Sequence, residues 1–384
     1  LNAKVYKSLK LESKGFSVQS VELEHKIIKL VDDQRQHGFM LDMKKTKLLE
    51  AELEERLANV IKEVRKEFKP KAEIFTLRIC YNANGEVSKF AKCRELKKRV
   101  RLDDFNLGSR PQIAQYLQDF GWKPKKFTAT GQPVVDESTL SKIKNIPQAT
   151  LIAEYLMVQK RIGLVKSWLK EVDERDSRVH GYVNHNGAVT SRMTHKSPNT
   201  AQIPSTNSNY GKECRSCWTV AKGNKLVGID ASGLELRMLA HYMNDGEYTN
   251  EIVNGDIHTH NQKIAGLESR SQAKTFIYAL LYSAGDPRLG TVVGGGRDAG
   301  ARLRKLFFDN LPAFKALKDR VGKDLDAQCV ANVHDEWQVE SKAEHAEEVG
   351  KLGVQAIIDA GTAFNLNCPL DGEYKIGDNW YETH

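Results

Sequence analysis

Leu226-Val227-Gly228-Ile229-Asp230-Ala231-Ser232-Gly233-Leu234-Glu235-Leu236-Arg237 begins as an apolar strand and passes, through a glycine, into a helical pattern. The strand ends on Asp230, so its carboxylate is predicted at a strand mouth, where it can hold a divalent cation beside a backbone carbonyl. A single aspartate in that position is ordinarily a helix cap. A second stretch decides between the two. Val330-Ala331-Asn332-Val333-His334-Asp335-Glu336-Trp337-Gln338-Val339 reads as two short strands around a tight turn that presents Asp335. Two carboxylates from separate strands can bridge a pair of Mg²⁺ ions about 3.5–4 Å apart, one activating an oxygen and the other stabilising a leaving oxygen. A metal phosphohydrolase built on His334 and Asp335 would need further histidines at set positions, and none is seen.

Between these stretches lies Ser269-Arg270-Ser271-Gln272-Ala273-Lys274-Thr275-Phe276-Ile277-Tyr278-Ala279-Leu280-Leu281-Tyr282. Arg270, Lys274, Tyr278 and Tyr282 recur every fourth residue. At about 100° per residue each step drifts only about 40°, which keeps all of them on one helix face over roughly 18 Å. Ala273, Phe276, Leu280 and Ala284 fall on the opposite face and can pack inward. Two cations followed by two aromatic rings make a strip that suits a triphosphate at one end and a sugar and base at the other. His258, in Gly255-Asp256-Ile257-His258-Thr259, adds a candidate phosphate contact. Each residue alone would pass for a solvated charge or a half-buried ring; the shared spacing argues against that.

The chain has 384 residues, enough for two or three compact units, and its 40% apolar content can bury a core. Lys and Arg outnumber Asp and Glu by 58 to 50, a net charge of +8 that suits a polyanion without requiring one. Of the six cysteines only Cys214 and Cys217 have metal-ligand spacing; no second pair or nearby histidines follow, so no zinc site is expected. No apolar run approaches the roughly 18–20 residues of a membrane span, so no membrane partner is expected and a cytosolic setting with reduced thiols is. The start, Leu1-Asn2-Ala3-Lys4, reads as a cut into a longer chain. Helical patterns run from 21 to 68, with a break at Gly38-Phe39-Met40-Leu41-Asp42, and resume at 110–122 and 138–170. Residues 69–104 lose that periodicity and gather Lys92, Arg94, Lys97, Lys98, Arg99 and Arg101, a basic tip or a solvated loop. Strand-like pieces appear at 180–184, and helix returns over 245–325. Gly294-Gly295-Gly296 lacks the strand–loop–helix context of a phosphate loop.

Asp-Ala-Ser-Gly-Leu-Glu-Leu-Arg at 230–237, the Arg-x₃-Lys-x₃-Tyr helix at 270–278 and Val-His-Asp-Glu at 333–336 resemble motifs A, B and C of the family A, DNA polymerase I-like, DNA polymerases. Within that family the chain is most similar to the T-odd phage replicative branch. Asn186 to Thr194, Pro198 to Pro204, Glu154 to Gly163 and the terminal Gly377-Asp378-Asn379-Trp380 carry the same likeness, which covers most of residues 20–384. The resemblance implies an α+β right-hand polymerase, helix-rich with an antiparallel palm sheet. It divides the chain into a remnant of a preceding exonuclease domain (1–20), a thumb with its connecting helices (21–164, basic tip 69–104), a first palm part (165–244), fingers (245–328) and a second palm part (329–384).

The resemblance also implies roles. Asp230, the Ala231 carbonyl and Asp335 hold two Mg²⁺ ions; His258, Arg270 and Lys274 meet the incoming triphosphate, with Lys274 as proton donor to pyrophosphate. Tyr278 packs on the sugar and Glu235 leaves no room for a ribose 2′-OH. Tyr282 and Gly285 lie by the templating base, Arg192 and His334 by the primer end, and Thr190, Asn199 and Gln202 contact the DNA backbone or its support. The implied partners are primer–template DNA, dNTPs and a host processivity factor at the thumb; the implied setting is the cytoplasm, that of the host if phage-encoded. Two departures stand out: the exonuclease domain is almost wholly missing, and Gln328 runs straight into Cys329 where the family has dozens of palm residues. Residues left out of the sequence are the expected reason for the second. A single-subunit RNA polymerase shares the palm and the Arg/Lys helix, but Glu235 and its motif favour deoxyribonucleotides. A DNA-binding relic would not need both aspartates, Arg270, Lys274 and Tyr278 intact.

Overall fold

Helix α1 (Val18–His37) is capped by Ser17, whose side chain accepts from Ser20 N, and it ends at Gly38, where φ is 70°. The short strand β1 (Phe39–Leu41) follows. The computed structural model describes residues 17–80, 84, 86–87, 93–188, 192–282, 284–317 and 336–384. The chain divides into two compact units, one formed by Lys44–Leu169 and the other by the residues on either side of it.

In the first unit, α2 (Met43–Glu67) buries Leu49, Leu53, Val60 and Val64 at helical spacing. The strands β2 (Lys71–Cys80) and β3 (Cys93–Asp103) pair antiparallel from Lys71↔Asp103 to Cys80↔Cys93, so the aperiodic basic stretch contains a hairpin. Helix α3 (Arg110–Asp119), the single turn α4 (Glu137–Leu140) and α5 (Pro147–Glu171) complete the unit. Its core joins Val60, Phe68, Ile113, Leu117, Leu140 and Ile152. Arg56 and Glu154 pair across α2 and α5 at 2.6 Å.

The second unit is built on two small sheets. One has the order β4 (Val172–Asp173), β5 (Arg178–Val179), β1, β8 (Trp218–Thr219). Beside it stand the hairpin β6 (Tyr182–Asn184) with β7 (Thr194–Lys196) and the short helix α6 (Gly211–Ser216). The other sheet places β9 (Asn224–Ala231) between β10 (Glu336–Lys342) and β11 (Gly372–Gly377), all antiparallel. Val227, Ile229 and Ala231 alternate onto one face of β9 and pack against Ala346 and Ile357 of a long helix, Ala346–Ala363. A side chain at Gly353 would strike Ile229, so glycine is what lets that helix lie on the strand. After β9 come α7 (Leu234–Met243), α8 (Gly246–Asn254), α9 (Ile257–Ala265), α10 (Arg270–Leu281), α11 (Asp286–Gly290) and α12 (Arg297–Asn310); the long helix is therefore α13. Leu239, Met243, Tyr248, Phe276, Leu289 and Phe307 knit α7 to α12 into one apolar cluster. Among the described residues, no helix is long and apolar enough to cross a membrane.

Glu340 ties the two sheets together. Its side chain is only 7% exposed, and it accepts from Arg178 Nη1 at 2.8 Å, Asn224 Nδ2 at 2.7 Å and Ala221 N at 3.0 Å, with His37 Nε2 at 3.0 Å. Burial alone would raise its pKa, but Arg178, Asn224, Ala221 N and His37 outweigh burial and hold it at about 2. Removing one partner of a buried pair strands the other, so Glu340→Ala should cost about 3–5 kcal/mol in unfolding free energy. Because its folded-state pKa is depressed, the stabilisation is complete above the ordinary value of 4.5 and disappears as pH falls from there toward 2. Denaturant titrations at pH 7 and pH 3 test this: wild type should lose stability between them, and Glu340→Gln should lose less.

Candidate active site

Asp230 is the penultimate residue of β9, in the centre of its sheet. The register sets Glu336 of β10 opposite it on one side and Glu373 of β11 on the other. Residues directly opposite in antiparallel strands project from the same face, so three carboxylates stand in a row across the sheet. Like charges so placed repel and weaken the sheet unless other groups offset them. The same face is closed farther along: a side chain at Gly228 would strike the Thr383 carbonyl and Gln338.

Glu336 is bound on several sides. Trp380 Nε1 donates to it at 2.8 Å and Gln338 Nε2 at 2.7 Å, while His384 Nδ1 lies 2.8 Å from its other oxygen. Burial pushes its pKa up, but His384, Trp380 and Gln338 overcome that and hold it at about 2. Its carboxylate thus anchors the start of β10, immediately after Asp335. Asp335, His334 and Thr190 lie outside the described residues, as do Gln328 and Cys329. Ala231 closes β9.

Ser269 and Gln272 form a reciprocal capping box that starts α10 at Arg270. Ala273, Phe276, Ile277 and Leu280 of α10 are buried, which leaves Arg270 and Lys274 exposed and Tyr278 half-buried on the other side. Lys274, Tyr278, Tyr282 and Arg288 line a cavity of about 580 Å³, together with Thr275 and Ala284. Tyr282 caps the C-terminus of α10, and its hydroxyl donates to Glu235 Oε1 at 3.2 Å. Glu235 sits in the first turn of α7, four residues past the β9 terminus, so this bond brings the strip on α10 toward the strand that carries Asp230. Gly285 caps α11.

His258 lies in the first turn of α9, and its ring centroid is 6.3 Å from that of Tyr278. Burial, then the cations Arg270 and Lys274, lower its pKa. Arg270 is held by Asp256 through Nε at 2.6 Å and Nη2 at 3.1 Å. Arg192 lies in the β6–β7 connection, two residues before β7, and Asn199 caps the short helical turn Thr200–Gln202 that contains Gln202. Cys214 and Cys217 are buried and form no disulfide, and Cys217 Sγ donates to Glu213 O at 3.3 Å.

Three participants escaped the sequence reading. Arg288 could have been found from Asp286-Pro287-Arg288, since a proline in the first turn signals a new helix beside the cavity. Glu373 and Asp256 become significant only through register and tertiary contact. Among the described residues, the one three-membered group of potential metal ligands is Asp173, Asp176 and His180, at the β4–β5 turn. There Arg175 already occupies both oxygens of Asp173 at 2.5–3.1 Å.

Comparison with known proteins bears on all of this. The family model described as DNA polymerase family A matches residues 86–324. The chain is 33% identical to the DNA-directed DNA polymerases of Enterobacteria phage T3 and Escherichia phage T7, each over 96% of this chain and 70% of the relative. Those alignments span 498 positions, more than the chain's 384 residues, so they run with gaps on this side. Among solved structures, the POL domain of Pol1 from M. smegmatis, in complex with DNA primer-template and dNTP, superposes with a TM-score of 0.75 at 17% identity. That match covers 94% of this chain and 70% of the other.

Proposed function

The chain belongs to DNA polymerase family A and its activity is template-directed DNA synthesis; from that premise we propose that the strip on α10 and the aspartate of β9 are where nucleotides are joined. The observation that carries this reading is the Tyr282–Glu235 hydrogen bond, which sets the Lys274–Tyr278–Tyr282 cavity next to the end of β9. In this reading the Lys44–Leu169 unit is the thumb, the β10-β9-β11 sheet with α13 is the palm, and α8 to α12 are the fingers. Primer–template DNA and dNTPs are the partners. The β2–β3 hairpin is the place for a host processivity factor.

Arg270, Lys274 and His258 bind the triphosphate, Tyr278 covers the sugar, and Glu235 fills the space a 2′-OH would need. Tyr282 and Gly285 face the templating base; Arg192, His334, Thr190, Asn199 and Gln202 serve the primer end and the DNA backbone. Asp230, the Ala231 carbonyl and Asp335 would hold two Mg²⁺ ions, whose positive charge stabilises the phosphoryl-transfer transition state when bound. The primer 3′-OH gives up its proton to solvent water and attacks the α-phosphate in line, the bridging bond from the α-phosphorus to pyrophosphate breaks, and Lys274 Nζ gives a proton to the departing pyrophosphate. Extension of a labelled primer by the purified chain tests the assignment. Addition that survives loss of both Lys274 and Tyr278 would place the site elsewhere.

Tyr278 makes a sharp test of sugar contact. Its phenol can donate near the 3′ side of the sugar and partly replace a missing 3′-OH, whereas phenylalanine leaves a polar gap. An unpaired polar group in a closed site costs about 1–3 kcal/mol. Wild type should therefore incorporate dideoxynucleotides readily, and Tyr278→Phe should discriminate against them by roughly 10–100-fold in a dNTP/ddNTP competition. Equal ratios for the two proteins would show that Tyr278 does not face the sugar.

A further inference from the structure

We propose that Asp256 is a positioning residue that clips together the two phosphate contacts, His258 and Arg270, and thereby sets the affinity for the incoming nucleotide; this rests on the nucleotide site assigned above. One carboxylate serves the starts of two helices. Oδ1 accepts from His258 N at 3.1 Å and Oδ2 from Thr259 Oγ1 at 2.7 Å, both in the first turn of α9. The same two oxygens take Arg270, the first residue of α10: Oδ2 from Nε at 2.6 Å and Oδ1 from Nη2 at 3.1 Å. The residues so joined are 14 apart in sequence.

The donor count shows what the clip leaves available. A guanidinium has five N–H donors in a fixed fork. Asp256 takes the Nε hydrogen and one on Nη2, so both Nη1 hydrogens and the second Nη2 hydrogen point away from the carboxylate. The Arg270 side chain is 58% exposed, and without Asp256 it would sample many rotamers. Asp256 removes that freedom before the ligand arrives, so less is lost on binding. Its negative charge acts in the opposite direction, repelling a triphosphate. Four donors already converge on the two oxygens, which spends that charge locally, so preorganisation is the larger effect.

Asp256→Asn separates capping from clipping. Asparagine caps a helix as well as aspartate does, but it has no charge and only one oxygen, so it cannot grip Arg270 in two places. Asp256→Ser, also a good cap, is too short to reach the guanidinium and serves as the second variant. Single-turnover titrations with a complementary dNTP on a primer–template should show Kd raised about tenfold in both variants, with the rate at saturating nucleotide changed little. Arg270→Ala should weaken binding in wild type and weaken it by a smaller factor in the Asp256→Asn background. An unchanged or tighter Kd in both variants would overturn the clip, as would a slower saturating rate at constant Kd. If Arg270→Ala itself leaves Kd unchanged, the nucleotide-site reading falls together with the clip. If Arg270→Ala weakens binding and the Asp256 variants do not, only the clip falls.

Discussion

Asp230→Ala should abolish nucleotide addition, lowering the single-turnover rate by on the order of a thousandfold or more, while primer–template binding stays largely intact. A bound divalent cation supplies several kcal/mol to a phosphoryl-transfer transition state, and each 1.36 kcal/mol is a factor of ten. The sheet adds a second, independent expectation. Asp230 stands between Glu336 and Glu373, and like charges directly opposite destabilise a sheet. Asp230→Asn should therefore melt no lower than wild type in a chelator, although it is inactive. Extension near the wild-type rate in either variant would remove Asp230 from the metal site.

Lys274→Ala should slow addition by about 10²–10⁴-fold at saturating dNTP, the range expected when a positioned proton donor is lost. Lys274 lines the cavity together with Tyr278 and Tyr282, one helical turn beyond Arg270. Lys274→Arg tells charge from proton transfer. Arginine keeps the cation but does not give up its proton at neutral pH. A defect in Lys274→Arg nearly as deep as in the alanine variant supports the proton-donor role. Recovery of most of the rate in arginine would assign Lys274 to electrostatics alone.

The helix that bears the strip was legible because two periodic signals agree over Arg270–Leu281: polar residues every fourth position and apolar residues on the opposite face. Asp230 was legible as the end of an apolar run, and β10 as a strand following Asp335. What local pattern could not show is anything made by distant residues. Glu336 is fixed by Trp380 and His384, 44 and 48 positions away, and Glu340 by Arg178, 162 positions away. The acidic row exists only through strand register, which no single strand discloses. The β2–β3 ladder went unread because its many lysines and arginines mask the alternation that marks a strand. Glu235 and Tyr282 were each legible by motif, yet their hydrogen bond, which joins two predicted contacts, was not.

The central claim, template-directed joining of nucleotides at this site, meets its most direct test in single-nucleotide addition. Four primer–templates that differ only in the templating base, each offered the four dNTPs singly with Mg²⁺, would be followed by primer length and pyrophosphate release. The expected result is rapid addition of the complementary nucleotide alone on each template, one pyrophosphate per nucleotide joined. Addition that ignores the templating base, or no addition to any primer, would contradict it.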